Sequence, residues 1–154
     1  MVMKLLLNCF YAFIGSLGFA VLFNIRHKNL FFTSLGGGLS WFVYLICTNN
    51  NCSVTFSLFL ASIIIGIYSE IFARIMKTPV TIYAICSMIP LVPGSGMYYT
   101  MAESVKGNAS ASLSVGLSTI VSAGSIAVGI VLTSSLSKLI ILLKTRNKSI
   151  HKSA

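Results

Sequence analysis

The sequence predicts an all-α, polytopic membrane helix bundle of about five transmembrane helices, the fourth broken at a Pro-Gly motif. Three observations predict it. Hydrophobic residues make up 56% of the 154 and charged residues only 8%, with a mean hydropathy of +0.92. A soluble domain carries about 25% charged residues, and so sparse a charge cannot keep a globule of this size in solution. The apolar residues come in long runs without the alternating polar partners of a lipid-facing barrel. Finally, "IPLVPGSGMYYT" at 89–100 puts two prolines and two glycines within seven residues of one such run. The length suits one compact unit, with residues 1–143 as a single transmembrane domain and 144–154 as a basic tail.

Each span needs about 20 apolar residues to cross a hydrocarbon core of ~30 Å. The first is expected from Leu5 to Ile25. Its opening, "MVMKLLLNCFYAFIGSLGFA", imitates a signal peptide, but the apolar run continues through "VLFNI" to the basic stop Arg26-His27-Lys28, the pattern of a retained helix. The second covers Asn29 to Cys47 and ends in the polar turn "TNNNCS"; the third runs from Val54 to Arg74. Pro79 suits the first turn of the fourth, where its missing N–H is no loss, and that span is expected to reach Tyr99 before "MAESVKGNAS" leaves the membrane. Ala109 to Leu143 is 35 residues, or ~50 Å of helix, too long for one crossing. Leu113 to Leu136 is the expected span, with a serine-rich approach, an amphipathic end at "LIILL", and two short spans as the alternative.

With five spans, nine basic residues (Arg26, Lys28, Arg74, Lys77, Lys138, Lys144, Arg146, Lys148, Lys152) share one side and only Lys4 and Lys106 the other. That bias predicts a cytoplasmic C-terminus. It also accounts for the net charge of +9 without nucleic acid, for which no basic-aromatic stripe or known module is present. The tail reads as a solvated basic end drawn to anionic lipid.

Pro90, Pro93, Gly94 and Gly96 make a continuous fourth helix improbable, since one interior proline costs ~3 kcal/mol or more. They fall near the bilayer midplane, where irregular backbone is tolerated only against protein or a water-filled cavity. Discontinuous helices of this kind form binding sites in many transporters. A second half-helix starting near Ser95 to Met97 would offer free N–H groups to a carboxylate, with Ser95 adding a hydroxyl and Tyr98 a phenol. The plainer reading is a proline kink packed on its neighbours. The G-x-G within the stretch lacks the strand and the Gly-Lys-Ser/Thr context of a nucleotide site.

These motifs carry a family resemblance. "PLVPGSGMYYTM" resembles the proline-x-x-proline-glycine signature of the threonine/serine exporter family, and the chain looks like its small-subunit form, in which the exporter is split between two polypeptides. "GFAVLFNI", "SLGGGLSW" and "FLASIIIGIYSEIFARIMKTP" fit that layout, so the resemblance covers about Gly15 to Ala102. It implies export of small carboxylate-bearing metabolites (threonine, serine, or a dicarboxylate such as succinate) across the plasma (inner) membrane, driven by the proton gradient. It also implies a larger multi-span partner subunit, with homo-oligomer formation open beside it. A non-transporting assembly subunit is the alternative function.

Of the two acids, Glu70 stands one turn before Arg74, and the two share a helix face. They read as a proton or substrate-amine site, or as an ion pair anchored at the interface with Arg74 snorkelling; Glu103, beside Lys106, reads as a solvated loop residue. Gly36, Gly37 and Gly38 read as close helix packing, with a second unwound segment as the sharper alternative; Gly15, Gly18, Gly116, Gly124 and Gly129 also read as packing. Asn24 suits a helix end, and Trp41 and Tyr44 fit either belt or core. The scattered Cys9, Cys47, Cys52 and Cys86 define no disulfide framework. No nucleophile–base pair, metal constellation or cofactor motif appears, so neither enzyme, metal nor cofactor is expected.

Overall fold

A computed structural model describes residues 2–150, with side chains for residues 3–140. Six α-helices and one 3-10 turn, with no strand among the described residues, make up the chain. They are α1 (Val2–Leu22), α2 (Lys28–Asn49), α3 (Val54–Met76), α4 (Val80–Met88), a 3-10 turn at Ile89–Leu91, α5 (Gly94–Val105) and α6 (Ala109–Ile150). All are built from apolar runs, and their ends are set by local backbone chemistry.

Four helices stop at a left-handed residue: Asn24, Asn51, Lys77 and Gly107 all have positive φ. At each, the following N–H reaches back five residues, as Ile25 to Ala20, Cys52 to Cys47, Thr78 to Ala73 and Asn108 to Glu103. This closure satisfies carbonyls that a helix end otherwise leaves bare, which matters most beside lipid. Because Asn24 takes that role, α1 ends at Leu22 rather than at the expected Ile25. In the same way Pro79 is the N-cap of α4 rather than its first residue.

The second and third spans lie close to their expected bounds. The fourth does not end at Tyr99: α5 continues to Val105, so Glu103 is helical and the turn shrinks to Lys106–Asn108. "MAES" stays helical, and its one hydroxyl bonds locally, Ser104 Oγ donating to the Thr100 carbonyl at 3.0 Å. α6 is one uninterrupted helix of 42 residues, ~63 Å long, so the two-span alternative is discarded. It passes through residue 144, the expected start of the tail, and continues to Ile150; His151, Lys152 and the rest of the tail lie outside the described residues.

Half of the most apolar window of α3 is buried, against 11% for α1 and for α6. α3 is therefore the central element, packed on α2, α4 and α6, while α1 leans on α2 and α5 on α6. The buried core of Leu58, Ala61, Ile65, Leu91 and Ile126 sits around the 3-10 turn. At the helix contacts a glycine repeatedly faces a hydroxyl. Gly36 meets Ser87, Gly37 meets Ser16, Gly66 meets Thr133, Gly129 meets Ser62 and Gly96 meets Thr119, each so closely that an added Cβ would collide. Small residues opposite hydroxyls let backbones approach where lipid offers no hydrophobic drive. Gly15, Gly18 and Gly124 correct the packing expectation, since nothing lies within 4 Å of a Cβ built on any of them.

The same contacts give the helix directions. Ser62 with Gly129 and Gly66 with Thr133 keep one constant offset, so α3 and α6 are parallel. Gly96 with Thr119 and Thr100 with Gly116 run in opposite senses, so α5 is antiparallel to α6. Tyr83 with Asn29 and Ser87 with Thr33 are both 54 residues apart, so α4 is parallel to α2. α4 and α5 therefore advance toward the same end, and the pair, bent by 55°, is one broken crossing rather than a loop that returns. Five crossings place the start of α1 and the end of α6 at opposite ends of the bundle.

Candidate functional site

The helix of the fourth crossing is lost over Ile89–Pro93. Pro90 tightens the chain into the 3-10 turn, Val92 is extended (φ −60°, ψ 127°) and Pro93 caps the next helix (φ −76°, ψ 58°). Leu91, 2% exposed, is packed into the core while Val92 is 44% exposed, so one side of the break faces protein. Two prolines have no N–H to satisfy. Val92 N–H bonds the Ile89 carbonyl at 3.1 Å, Gly94 N–H the Val92 carbonyl at 2.7 Å, and Met97 N–H the Pro93 carbonyl at 3.2 Å. Among the described residues, that leaves the N–H groups of Ser95 and Gly96 without an acceptor, at the positive end of a 12-residue helix.

α4 stays against α2 and α3 while α5 swings onto α6, and a cavity of about 260 Å³ opens in the fork. Pro90, Pro93, Ser95 and Gly96 form its broken-helix wall. Trp41 and Tyr44, their rings 5.0 Å apart, and Val54 and Leu58 form the α2–α3 wall, and Ser118, Thr119 and Ser122 the α6 wall. The three α6 hydroxyls donate to their own helix, Ser118 and Thr119 to the Val115 carbonyl (2.8 and 2.7 Å) and Ser122 to the Ser118 carbonyl (2.9 Å). Their donors are used and their lone pairs remain free. The cavity thus has a donor end made of backbone N–H and an acceptor wall made of hydroxyls, with no formally charged side chain among its lining residues.

Of the residues singled out in the sequence, Pro90, Pro93, Ser95 and Gly96 are brought together here. Gly94 and Tyr98 are not. A Cβ on Gly94 would meet nothing, and Tyr98 is 68% exposed and leans on Tyr99. Glu70 and Arg74 form the expected pair at 3.1 Å, and Arg74 Nη2 also donates to Ser137 Oγ at 2.7 Å, tying α3 to α6. They border a separate apolar groove. Leu58, on the cavity wall, is twelve residues before Glu70 on α3, ~18 Å along the axis. Glu103 bonds Lys106 Nζ at 2.7 Å, and that hydrogen bond raises the Lys106 ammonium pKa.

Trp41 and Tyr44 line the cavity. Ser118, Thr119 and Ser122 were visible in sequence only as part of a serine-rich run; their spacing puts them on one helix face. No group of three or more metal-ligating side chains occurs among the described residues.

A family model described as threonine/serine exporter, ThrE, matches residues 8–136. The chain belongs to the threonine/serine exporter family. In this exporter-family chain the matched stretch takes in the break and every cavity residue. No solved structure matches it. Family membership together with the long apolar helices makes it a multi-pass membrane protein of a transporter family.

Proposed function

We propose that this chain is the small membrane subunit of a proton-coupled exporter of small carboxylate-bearing metabolites, working with a larger multi-span partner. The cavity at the broken fourth crossing is its solute site, and the C-terminus is on the cytoplasmic side of the inner membrane. One observation carries the reading: the unpaired N–H groups of Ser95 and Gly96 sit on a protein-lined cavity in the fork of the broken crossing. A carboxylate would accept from both, replacing the water it loses. The hydroxyl wall opposite would accept from an ammonium or hydroxyl group, which favours threonine or serine over succinate. At about 260 Å³ the cavity falls just below the ~300 Å³ at which drug-sized sites begin, which suits a small metabolite.

Glu70 lies too far along α3 to touch a solute held there, so the groups that couple protons belong to the partner subunit. The test is uptake of labelled threonine, serine and succinate into inverted vesicles containing both subunits, or the partner alone. Uptake that requires this chain and fails with Gly96→Leu in a correctly inserted protein supports the proposal. Full-rate uptake by the partner alone overturns it and leaves an assembly subunit.

A further inference from the structure

The cavity lies toward one end of the bundle. Its walls include Tyr44, late in α2, and Val54, the first residue of α3. That is the end of the α2–α3 turn, opposite the connections that carry Arg26, Lys28 and Lys77. A solute leaving the basic side must therefore pass the bundle's other half to reach it. We propose that the α2–α4 interface is the passage through that half, shut in this structure at the layer of Gly36 and Ser87. This rests on the cavity reading above.

The interface is lined with polar groups at a constant register. Tyr83 OH donates to Asn29 Oδ1 at 2.9 Å near the basic end, and Thr78 Oγ1 lies 3.5 Å from the same phenol. One turn deeper Ser87 Oγ donates to the Thr33 carbonyl at 2.9 Å. Beyond them the 3-10 turn still packs on α2, and Pro90 and Leu91 reach the cavity wall beside Trp41 and Tyr44. Thus α2, with α4 and the 3-10 turn that follows it, leads from the basic end to the solute site.

The closing layer is tight. Gly36 touches Ser87 Oγ and lies with its Cβ position 2.9 Å from the Tyr68 ring, while Tyr68 OH donates to the Phe32 carbonyl at 2.6 Å. Leu91 closes the cavity side. The described side chains include three fully buried hydroxyls without a hydrogen-bond partner: Ser16, Thr33 and Ser69. Thr33, whose carbonyl Ser87 holds, is in this layer, while Ser16 abuts Gly37 on the α1 side of α2. Other buried hydroxyls, such as Ser40 and Ser62, donate to their own helix. An unpaired hydroxyl is unfavourable in a dry interface and satisfied in a wet one, so this layer is chemically matched to a state in which water and solute enter. The break at Ile89–Pro93 lets α4 move without carrying α5, which is held on α6.

The test is access to water. Thr33→Cys, Ser87→Cys, Ala61→Cys and Ser95→Cys are made singly in a chain carrying Cys9→Ser, Cys47→Ser, Cys52→Ser and Cys86→Ala. Native membrane vesicles of each orientation are treated with a membrane-impermeant maleimide, with and without threonine or succinate. Thr33→Cys and Ser87→Cys are expected to react from the basic side, at rates set by an open state of about 0.1–10% population, and the solute is expected to change those rates. Ala61→Cys, equally buried in the core, is expected to stay inert. If both passage thiols are as inert as Ala61→Cys while Ser95→Cys reacts and is protected by solute, the passage is wrong and the cavity stands. If Ser95→Cys neither reacts nor is protected, the cavity reading fails and the passage falls with it.

Discussion

Gly94 and Gly96 have the same chemistry and opposite surroundings. A Cβ at Gly96 would strike Thr119 Oγ1, whereas one at Gly94 meets nothing within 4 Å. Gly96→Leu is therefore expected to abolish export and to weaken α5–α6 packing, while Gly94→Leu leaves insertion and most export intact; vesicle uptake of the two variants side by side checks this. Glu70 poses a second residue-scale question. Its carboxylate is held by Arg74, which also reaches Ser137. Glu70→Gln keeps a hydrogen-bond acceptor for Arg74 and removes the titrating proton. Export by Glu70→Gln is expected to keep its rate and pH profile, because the group stands ~18 Å along α3 from the cavity wall. A flattened pH profile would make Glu70 the coupling acid. Serine and proline were legible at this scale, but whether a given glycine was packed or free was not, since the answer lies on a different helix.

Between elements, the bundle is held by reciprocal glycine–hydroxyl contacts. On α3, Ser62 and Gly66 are four residues apart; on α6, Gly129 and Thr133 are as well, and each glycine receives the other helix's hydroxyl. At Gly129 the obstacle includes backbone, the Phe59 carbonyl at 3.0 Å, which cannot rotate away. Gly129→Ala is expected to destabilise the protein by about 1–3 kcal/mol, as overpacking does, while Gly124→Ala, facing open space, is neutral or gains up to ~1 kcal/mol of helix propensity. Thermal unfolding in detergent distinguishes them. The existence and order of the helices were legible because a 20-residue apolar run has few other fates. Their last turns were less so: α5 outran its expected end, with Ser104 Oγ bonded back to the Thr100 carbonyl and across to Ser112 of α6, and α1 stopped short because Asn24 adopts the left-handed conformation.

For the whole molecule, the parallel and antiparallel pairings make the bent α4–α5 pair a single crossing and set the count at five. Reporter fusions are expected to place the α1–α2 and α3–α4 connections on the cytoplasmic side with the C-terminus, and the Lys106–Asn108 turn outside. A turn at Lys106–Asn108 on the cytoplasmic side would reverse the direction proposed for solute flow. Composition and run length by themselves determined that the chain crosses a membrane several times as helices, and the cluster Pro90, Pro93, Gly94, Gly96 determined where one helix must break. Those are local properties, set by backbone hydrogen bonding and by the thickness of the apolar phase. Only the tertiary structure decided that the break borders a cavity, that Trp41, Tyr44, Ser118, Thr119 and Ser122 complete its walls, and that Glu70 does not. Which residues meet across a bundle depends on helix rotation and register, and these follow from the fit of surfaces far apart in the chain.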